Sequence, residues 1–383
     1  MINKKLKVGN VPNLRFPEFT EEWETKKLGE VATNVMYGMN AAATNYDGEN
    51  QYIRITDIDE QTRLFCPNPL SSPDGELDNK YLLHKGDILF ARTGASVGKS
   101  YLYNDKDGKI YFAGFLIRLN VRDEDPYFIF SQTLTEKYQR WVLTMSMRSG
   151  QPGINAEEYK LLPIVIPSIQ EQEKISSFLL LIDERIQTQN KIIEELKLLK
   201  ITLRYQLYEQ ILNQENEYVQ VKDTLNYEQP TKYLVTNTDY SSDISLIPVL
   251  TANKAFVLGY TNEEFGIYDK GQCIIFDDFT MDIKFVNFLF KVKSSAIKIL
   301  TAKPNVNLKF IFEYLSFLNL SSNEHKRHYI SEIEPMEMQL PNYIQQTYVA
   351  DFLSSIDDKI KTEFEIHTLL LKQKQYLLAN LFI

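Results

Sequence analysis

The sequence predicts an α+β protein with an internal pseudo-twofold repeat: two sheet-rich heads, each followed by a long helix, the two helices pairing as an antiparallel coiled coil. Three observations predict it. The chain matches itself at one fixed offset, both matched segments carry a seven-residue apolar grid, and short β-branched and aromatic runs bounded by Gly, Asn and Asp precede each of them.

Residues 1–167 form the first expected head. It opens with Lys27-Leu28-Gly29-Glu30-Val31 and continues through strand-like runs around Tyr52-Ile53-Arg54-Ile55-Thr56 and Lys85-Gly86-Asp87-Ile88-Leu89-Phe90. The stretch RTGASVGKS follows and imitates a phosphate-binding loop. A GxxxxGK[ST] loop would need glycine at the place of Thr93, and YLYNDKDGK reads as a strand and a turn rather than the required helix.

Residues 168–212 form the first expected helix, on the order of 60 Å long. Ile175, Ile182, Leu196 and Leu203 lie on the seven-residue grid, interleaved with Leu179, Ile186, Ile193 and Leu207. Residues 213–341 form the second head. Gln220-Val221-Lys222-Asp223-Thr224, Ile247-Pro248-Val249-Leu250-Thr251 and Lys270-Gly271-Gln272-Cys273-Ile274-Ile275 answer the three runs of the first, at differing offsets. Residues 342–383 form the second helix, with Val349, Ile356, Leu370 and Leu377 interleaved with Leu353, Ile360 and Leu381. A shift of 174 carries Pro167 onto Pro341, Gln172 onto Gln346, Asp183 onto Asp357 and Lys200 onto Lys374 without a gap. Polar residues interrupt the seam at matching places, Gln189 with Glu363 and Lys200 with Lys374, and such interruptions fix register.

With 383 residues the chain exceeds one ordinary core, and its 44% apolar and 24% charged content is that of a globular protein. No apolar run reaches the roughly 18 residues of a membrane helix, the N-terminus has no apolar signal segment, and Cys66 and Cys273 are isolated. No membrane association, no disulfide or metal framework and a reducing cytoplasm are therefore expected.

A net charge of −9 argues against a protein that coats DNA nonspecifically, yet each head holds a basic, acid-poor window. Residues 283–312 contain Lys284, Lys291, Lys293, Lys298, Lys303 and Lys309 without Asp or Glu. The first head has Arg92 and Lys99 on the glycine-bearing loop and Arg148 in RSGQPGIN. These cations are candidate phosphate contacts, with Thr93, Ser96, Gln151 and Asn155 as candidate readers of base edges. Arg327, in HKRH, belongs to a basic loop of the same kind.

Catalytic signatures are weak. The [DN]PP[YF] motif of amino-methylating enzymes is missing, the nearest string being Asn68-Pro69-Leu70-Ser71. Asp277, Asp278, Asp282 and Lys284, like Asp74, Asp78 and Lys80, are spaced too tightly for a PD…(D/E)xK nuclease. Neither a nucleophilic triad nor a metal site can be assembled, so no catalytic residue, no metal and no cofactor is expected on this chain itself.

The order head–helix–head–helix, the opening VPNLRFPEFTEEWETKKLGEV, KGDILFARTGASVGK, the PSIQEQEKI lead-in to the first helix and the closing YLLANLFI resemble the specificity (S) subunit of type I restriction-modification enzymes. The resemblance spans essentially the whole chain. The second copy departs from it, with PNYIQQTYV at the helix lead-in and no GxxVGK. It implies that each head is a target-recognition domain reading one half of a split, asymmetric site in double-stranded DNA, with the helices as a spacer. It also implies two partner methyltransferase subunits carrying S-adenosylmethionine, and restriction subunits using ATP and Mg²⁺ to translocate and cut. A standalone Mg²⁺-dependent nuclease and a coiled-coil scaffold without a DNA role are the alternatives.

Overall fold

A computed structural model describes residues 9–147, 151–251, 256–321 and 326–383. Its contacts divide the chain into one unit of residues 1–189 with 366–383 and another of residues 190–365. The division cuts through both long helices, and each unit contains one head.

In the first unit the order is β1 (Glu24–Lys27), α1 (Leu28–Val31), β2 (Ala32–Tyr37), β3 (Ala43–Asn45), β4 (Gln51–Ile53), β5 (Ser71–Pro73), β6 (Asp87–Ala91), β7 (Ser100–Leu102), β8 (Ile110–Phe112), β9 (Leu116–Val121), α2 (Pro126–Gln132), α3 (Glu136–Ser146), α4 (Ala156–Lys160), β10 (Pro163–Ile166) and the start of α5 (Ile169–Leu212). Strands run β2-β9-β6-β7 in an antiparallel sheet, while β4 pairs in parallel with β8. Strands β6 and β9 are buried along their whole length because both sheet faces are covered. Ile88 and Phe90 face a core with Trp23, Phe128 and α5, whereas Leu89 and Ala91 face a second core with Ile53, Ile110 and Phe112. The quoted RTGASVGKS is the connection of the β6–β7 hairpin, consistent with the absence of a following helix.

The second unit repeats the plan with β11 (Glu217–Gln220), α6 (Val221–Thr224), β12 (Leu225–Glu228), β13 (Ile247–Leu250), β14 (Val257–Thr261), β15 (Cys273–Asp277), β16 (Ile283–Val286), β17 (Lys291–Val292), β18 (Ile297–Ala302), α7 (Leu308–Phe317), β19 (Glu337–Leu340) and the start of α8 (Tyr343–Leu381). Its sheet, β12-β18-β15-β16, has the first unit's order, and β13 pairs in parallel with β17 as β4 does with β8. The facing pattern corrects one alignment. Ile274 and Phe276 face the helix-side core while Cys273 and Ile275 face the other, so Asp87 corresponds to Cys273 and not to Gln272. The turn glycines Gly86 and Gly271 keep the same left-handed conformation, with φ of 88° and 87°, and one extra residue follows the latter. A shift of one residue would turn every side chain of the strand to the wrong face.

The helices pair antiparallel, as expected. In the first unit Ile175, Leu179, Ile182 and Ile186 of α5 share a core with Leu370, Leu377 and Leu381 from the end of α8. In the second, Leu203 and Leu207 near the end of α5 pack with Val349, Leu353 and Ile356 from the start of α8. Ile193 is buried, and Leu196 and Ile360 are half-buried. The polar interruptions pair across the seam. Lys200 Nζ lies 2.7 Å from Asp357 in the second unit, and its repeat-mate Lys374 lies 2.6 Å from Asp183 in the first. Offset by 174, these are the same interaction with the helices exchanged, one in each unit.

The seam belongs to the heads as much as to the helices. Phe382 stacks edge-on to Trp23 at 6.4 Å and lies 5.2 Å from the Phe128 ring, and Leu14 N–H donates to the Asn380 carbonyl at 2.8 Å. In the second unit Tyr208 of α5 lies against Phe310 at 5.2 Å and its hydroxyl donates to the Phe310 carbonyl. The closing motif YLLANLFI is therefore core for the first head.

Candidate nucleic-acid interface

Two devices position the edge of each head. At the base, Gln172 accepts from the N–H of Asp125 at 3.0 Å and donates to the Pro167 carbonyl at 3.0 Å. Gln346 does the same with Asn307 and Pro341, at 2.9 and 2.8 Å. Asp125 and Asn307 are the caps of α2 and α7, and both helices carry Phe-Ile-Phe from their third residue: Phe128-Ile129-Phe130 and Phe310-Ile311-Phe312. Sequence reasoning missed this match because its offset is 182 and not 174. The signal was present in the letters.

At the opposite end, the first residue beyond the central strand is held on both sides. Arg92 N–H donates to the Phe115 carbonyl at 3.1 Å, and its carbonyl accepts from Ile154 N–H at 2.9 Å. In the second head Asp278 N–H donates to Ala296 at 3.0 Å and its carbonyl accepts from His328 N–H, also at 3.0 Å. Ile154 and His328 are 174 residues apart. Ile154 and His328 thus lie at equivalent places beside the two strand ends.

In the first head this brings Arg92, Thr93, Gln151 and Asn155 together. Thr93 bridges to Gly153, Gly94 N–H donates to Pro152, and Gln151 is exposed. Asn155 caps α4, its side chain accepting from Glu158 N–H at 2.9 Å, so its side-chain oxygen already has a donor. Ser96 is half-buried on the same loop. Lys99 points the other way. It is 7% exposed, donates to the Ile58 carbonyl at 3.1 Å and pairs with Glu60 at 2.5 Å, so the ammonium ties the loop to the neighbouring turn. Arg148 lies outside the described residues.

The lysines of the second head divide in two. Lys284, Lys293 and Arg327 are exposed. Lys291 is fully buried against Glu263 at 2.7 Å, and Lys298 is buried opposite Asp278 at 3.4 Å. Lys303 donates to the Lys222 carbonyl at 2.6 Å. The Glu263 carboxyl, although burial alone would raise it, is held down at about 2 by the hydrogen bond from Lys291, helped by Thr236 and Asn237. Buried cations beside carboxylates are structural pairs and are not available to phosphate. Asp278 also accepts from the N–H groups of His328 and Tyr329, at 3.1 and 2.9 Å, and Asp277 from those of Phe279 and Thr280. These carboxylates therefore shape the loops around them.

Beside Arg92 the first head opens a cleft of about 580 Å³, lined by Tyr37, Met39, Tyr52, Arg54, Arg92 and Phe115 among others. Gly38 allows it. A Cβ there would meet the Ala113 carbonyl oxygen at 2.2 Å, so only glycine lets the end of β2 approach the β8–β9 turn. Phe115, on that turn, is 62% exposed, and the place corresponds to Ala296 in the second head. Tyr37, Arg54 and Phe115 were not singled out from sequence; aromatic residues next to Gly38 and Gly114 at strand ends are the only local signal.

Fold and edge together define a two-headed, helix-paired class of protein, and comparison with known proteins agrees. Residues 20–198 match the family model described as the type I restriction modification DNA specificity domain. The specificity subunit of the type I restriction enzyme EcoR124I/EcoR124II of Escherichia coli is 45% identical over 133 residues, 33% of each chain, so this alignment spans a third of that relative's length. The protein assigned as the type I restriction enzyme MjaX specificity subunit of Methanocaldococcus jannaschii is 24% identical over 400 residues, covering 94% of this chain and 90% of the relative. Among solved structures, the type I restriction-modification S subunit of M. genitalium superposes with a TM-score of 0.61 at 15% identity, covering 97% of this chain and 99% of that one. A chain from a structure of type I restriction-modification complex assembly superposes with a TM-score of 0.55 at 14% identity, covering 94% of this chain and 97% of that one. Residues 20–198 are thus similar to the type I restriction modification DNA specificity domain, and most of the chain aligns with a protein assigned as a type I specificity subunit.

Proposed function

We propose that this chain reads a bipartite, asymmetric site in double-stranded DNA, one half-site per head, and directs partner subunits to it. The observation that carries the reading is the pairing of a repeated frame with unlike edges. The frame repeats down to Gln172 with Gln346 and Lys200 with Lys374, while Arg92 and Asp278 stand at the same place with opposite charge. A common frame gives partner subunits two equivalent docking surfaces, and unlike edges give two different sequences to read.

Two methyltransferase subunits would bind the pseudo-symmetric frame and methylate adenine in each half-site. They would carry S-adenosylmethionine, and restriction subunits would supply the ATP- and Mg²⁺-dependent translocation and cleavage, in the cytoplasm. Arg92, Thr93, Ser96 and Gln151 in the first head, and Lys284, Lys293 and Arg327 in the second, would contact DNA. None of the described helices is long and apolar enough to cross a membrane. The nuclease alternative gains nothing from the Asp277–Lys284 segment, where two of its carboxylates already accept backbone N–H groups.

The test is a map of methylated adenines in cells that hold the methyltransferase constant with and without this chain. A two-part motif that appears only with the chain is expected. The same methylation in both cells would overturn the proposal.

A further inference from the structure

Two arginines line the cleft of the first head, and they differ in what they have left to give. Arg54 is engaged, its Nε and Nη2 donating to the two carboxylate oxygens of Asp57 at 2.8 Å each. Arg92 has no carboxylate within ion-pairing distance among the described residues. Its guanidinium lies over the Tyr37 ring, 4.9 Å from the centroid.

Its backbone and the ring beneath it are also fixed. The Arg92 backbone is hydrogen-bonded on one side to Phe115 and on the other to Ile154. The Tyr37 hydroxyl accepts from Ala156 N–H at 3.1 Å, which fixes the ring on which the guanidinium rests. Part of the ordering cost is thus met before any ligand arrives. No carboxylate lines the cleft among the described residues.

A loop meant only to hold phosphate needs charge, which a flexible lysine supplies as well. A planar fork lying over a ring, with no carboxylate partner among the described residues, matches the paired acceptors O6 and N7 on the major-groove edge of guanine. We propose that Arg92 reads one guanine in the half-site of the first head, with Tyr37 as its positioning residue. This rests on the DNA-specificity reading above. The second head has Asp278 at this place, its carboxylate turned to Lys298 and two backbone N–H groups, so its half-site is read by other residues.

The test uses the complex of the full chain with its cognate methyltransferase subunits, on duplexes carrying every single base-pair change in the recognised site. Arg92→Ala and Arg92→Lys are each expected to lower discrimination at one G·C pair of one half-site by about ten- to a hundredfold. The other half-site, unchanged, reports that the complex is assembled. Tyr37→Leu should give a partial loss at the same pair. If Arg92→Lys behaves as wild type, the contact is to phosphate and the proposal fails. It fails equally if discrimination survives at every position in both variants, or if the affected pair is A·T. A wild-type complex without sequence preference would instead refute the underlying DNA reading, and this inference with it.

Discussion

In the first head the residue leaving the central strand is Arg92, lying on a tyrosine ring beside an open cleft. In the second it is Asp278, buried between Lys298 and the N–H groups of a basic loop. The backbone hydrogen bonds around the two are the same, and so is the loop that returns to meet them. The difference shows which parts of the fold are constrained. The sheet order, the capped Phe-Ile-Phe helix and the glutamine that fastens it are repeated because they close the core against the paired helices. The strand-end residue contributes a backbone to that frame and leaves its side chain free to change even in sign.

The largest effect that can break this comparison is an exchange of residues 1–165 for the corresponding head of a relative assigned as a type I specificity subunit. The expected outcome is replacement of one half-site and retention of the other in the methylation motif. A change in both halves would mean that the heads do not read independently. The structure adds a condition. Trp23 and Phe128 hold Phe382, so a donor head must present apolar rings there for the first unit to close.

A smaller effect separates the two heads by stability. Glu313 of α7 is completely buried and meets Lys200 at 2.8 Å, Arg204 at 2.8 Å and Lys309 at 3.1 Å. Its counterpart on α2 is Ser131, whose hydroxyl donates to the Tyr127 carbonyl. Glu313→Ala leaves three poorly hydrated cations short of a carboxylate and should cost about 3–5 kcal/mol. Ser131→Ala should cost about 1 kcal/mol or less. Urea unfolding followed by far-UV circular dichroism measures both. Both tryptophans, Trp23 and Trp141, lie in the first unit, so their fluorescence reports that unit selectively. Equal costs for the two substitutions would show that the Glu313 cluster is hydrated in solution.

Much of this was legible in the letters, and what was not has a physical reason. Helix pairing followed from the gapless match at an offset of 174, since buried seam positions tolerate few replacements and no insertions. The lysine window of residues 283–312 misled in part. It is free of acid in sequence, but not in space, because Glu263 and Asp278 reach Lys291 and Lys298 across strands. Lys99 was misjudged for the same reason, its partner Glu60 coming from a distant turn. The Arg92 cleft could not be read from sequence because it joins the end of β2, the segment around the end of β4, the residue after β6 and the turn before β9. Each contributes only one or two of its walls.

The smallest effect concerns pH and sharpens the contrast between the two polar seams. Burial would raise the Asp357 carboxyl, but hydrogen bonds and the charges of Lys200 and Lys309 outweigh it and hold the group below its ordinary value. A carboxyl depressed in the folded state stabilises fully above its unfolded pKa, about 3.9, and that stabilisation is lost as the pH falls through the lower folded value. Asp357→Asn should therefore lower the melting temperature at pH 7, and the gap from wild type should close as the pH is taken below about 4. Partial exposure of the side chain keeps the effect modest. The parallel substitution Asp183→Asn removes a carboxylate that meets one lysine, Lys374, and the Tyr127 hydroxyl. A gap at Asp357 that stays constant from pH 7 to pH 3 would show that its carboxylate is not linked to folding, and that the two seams are held alike.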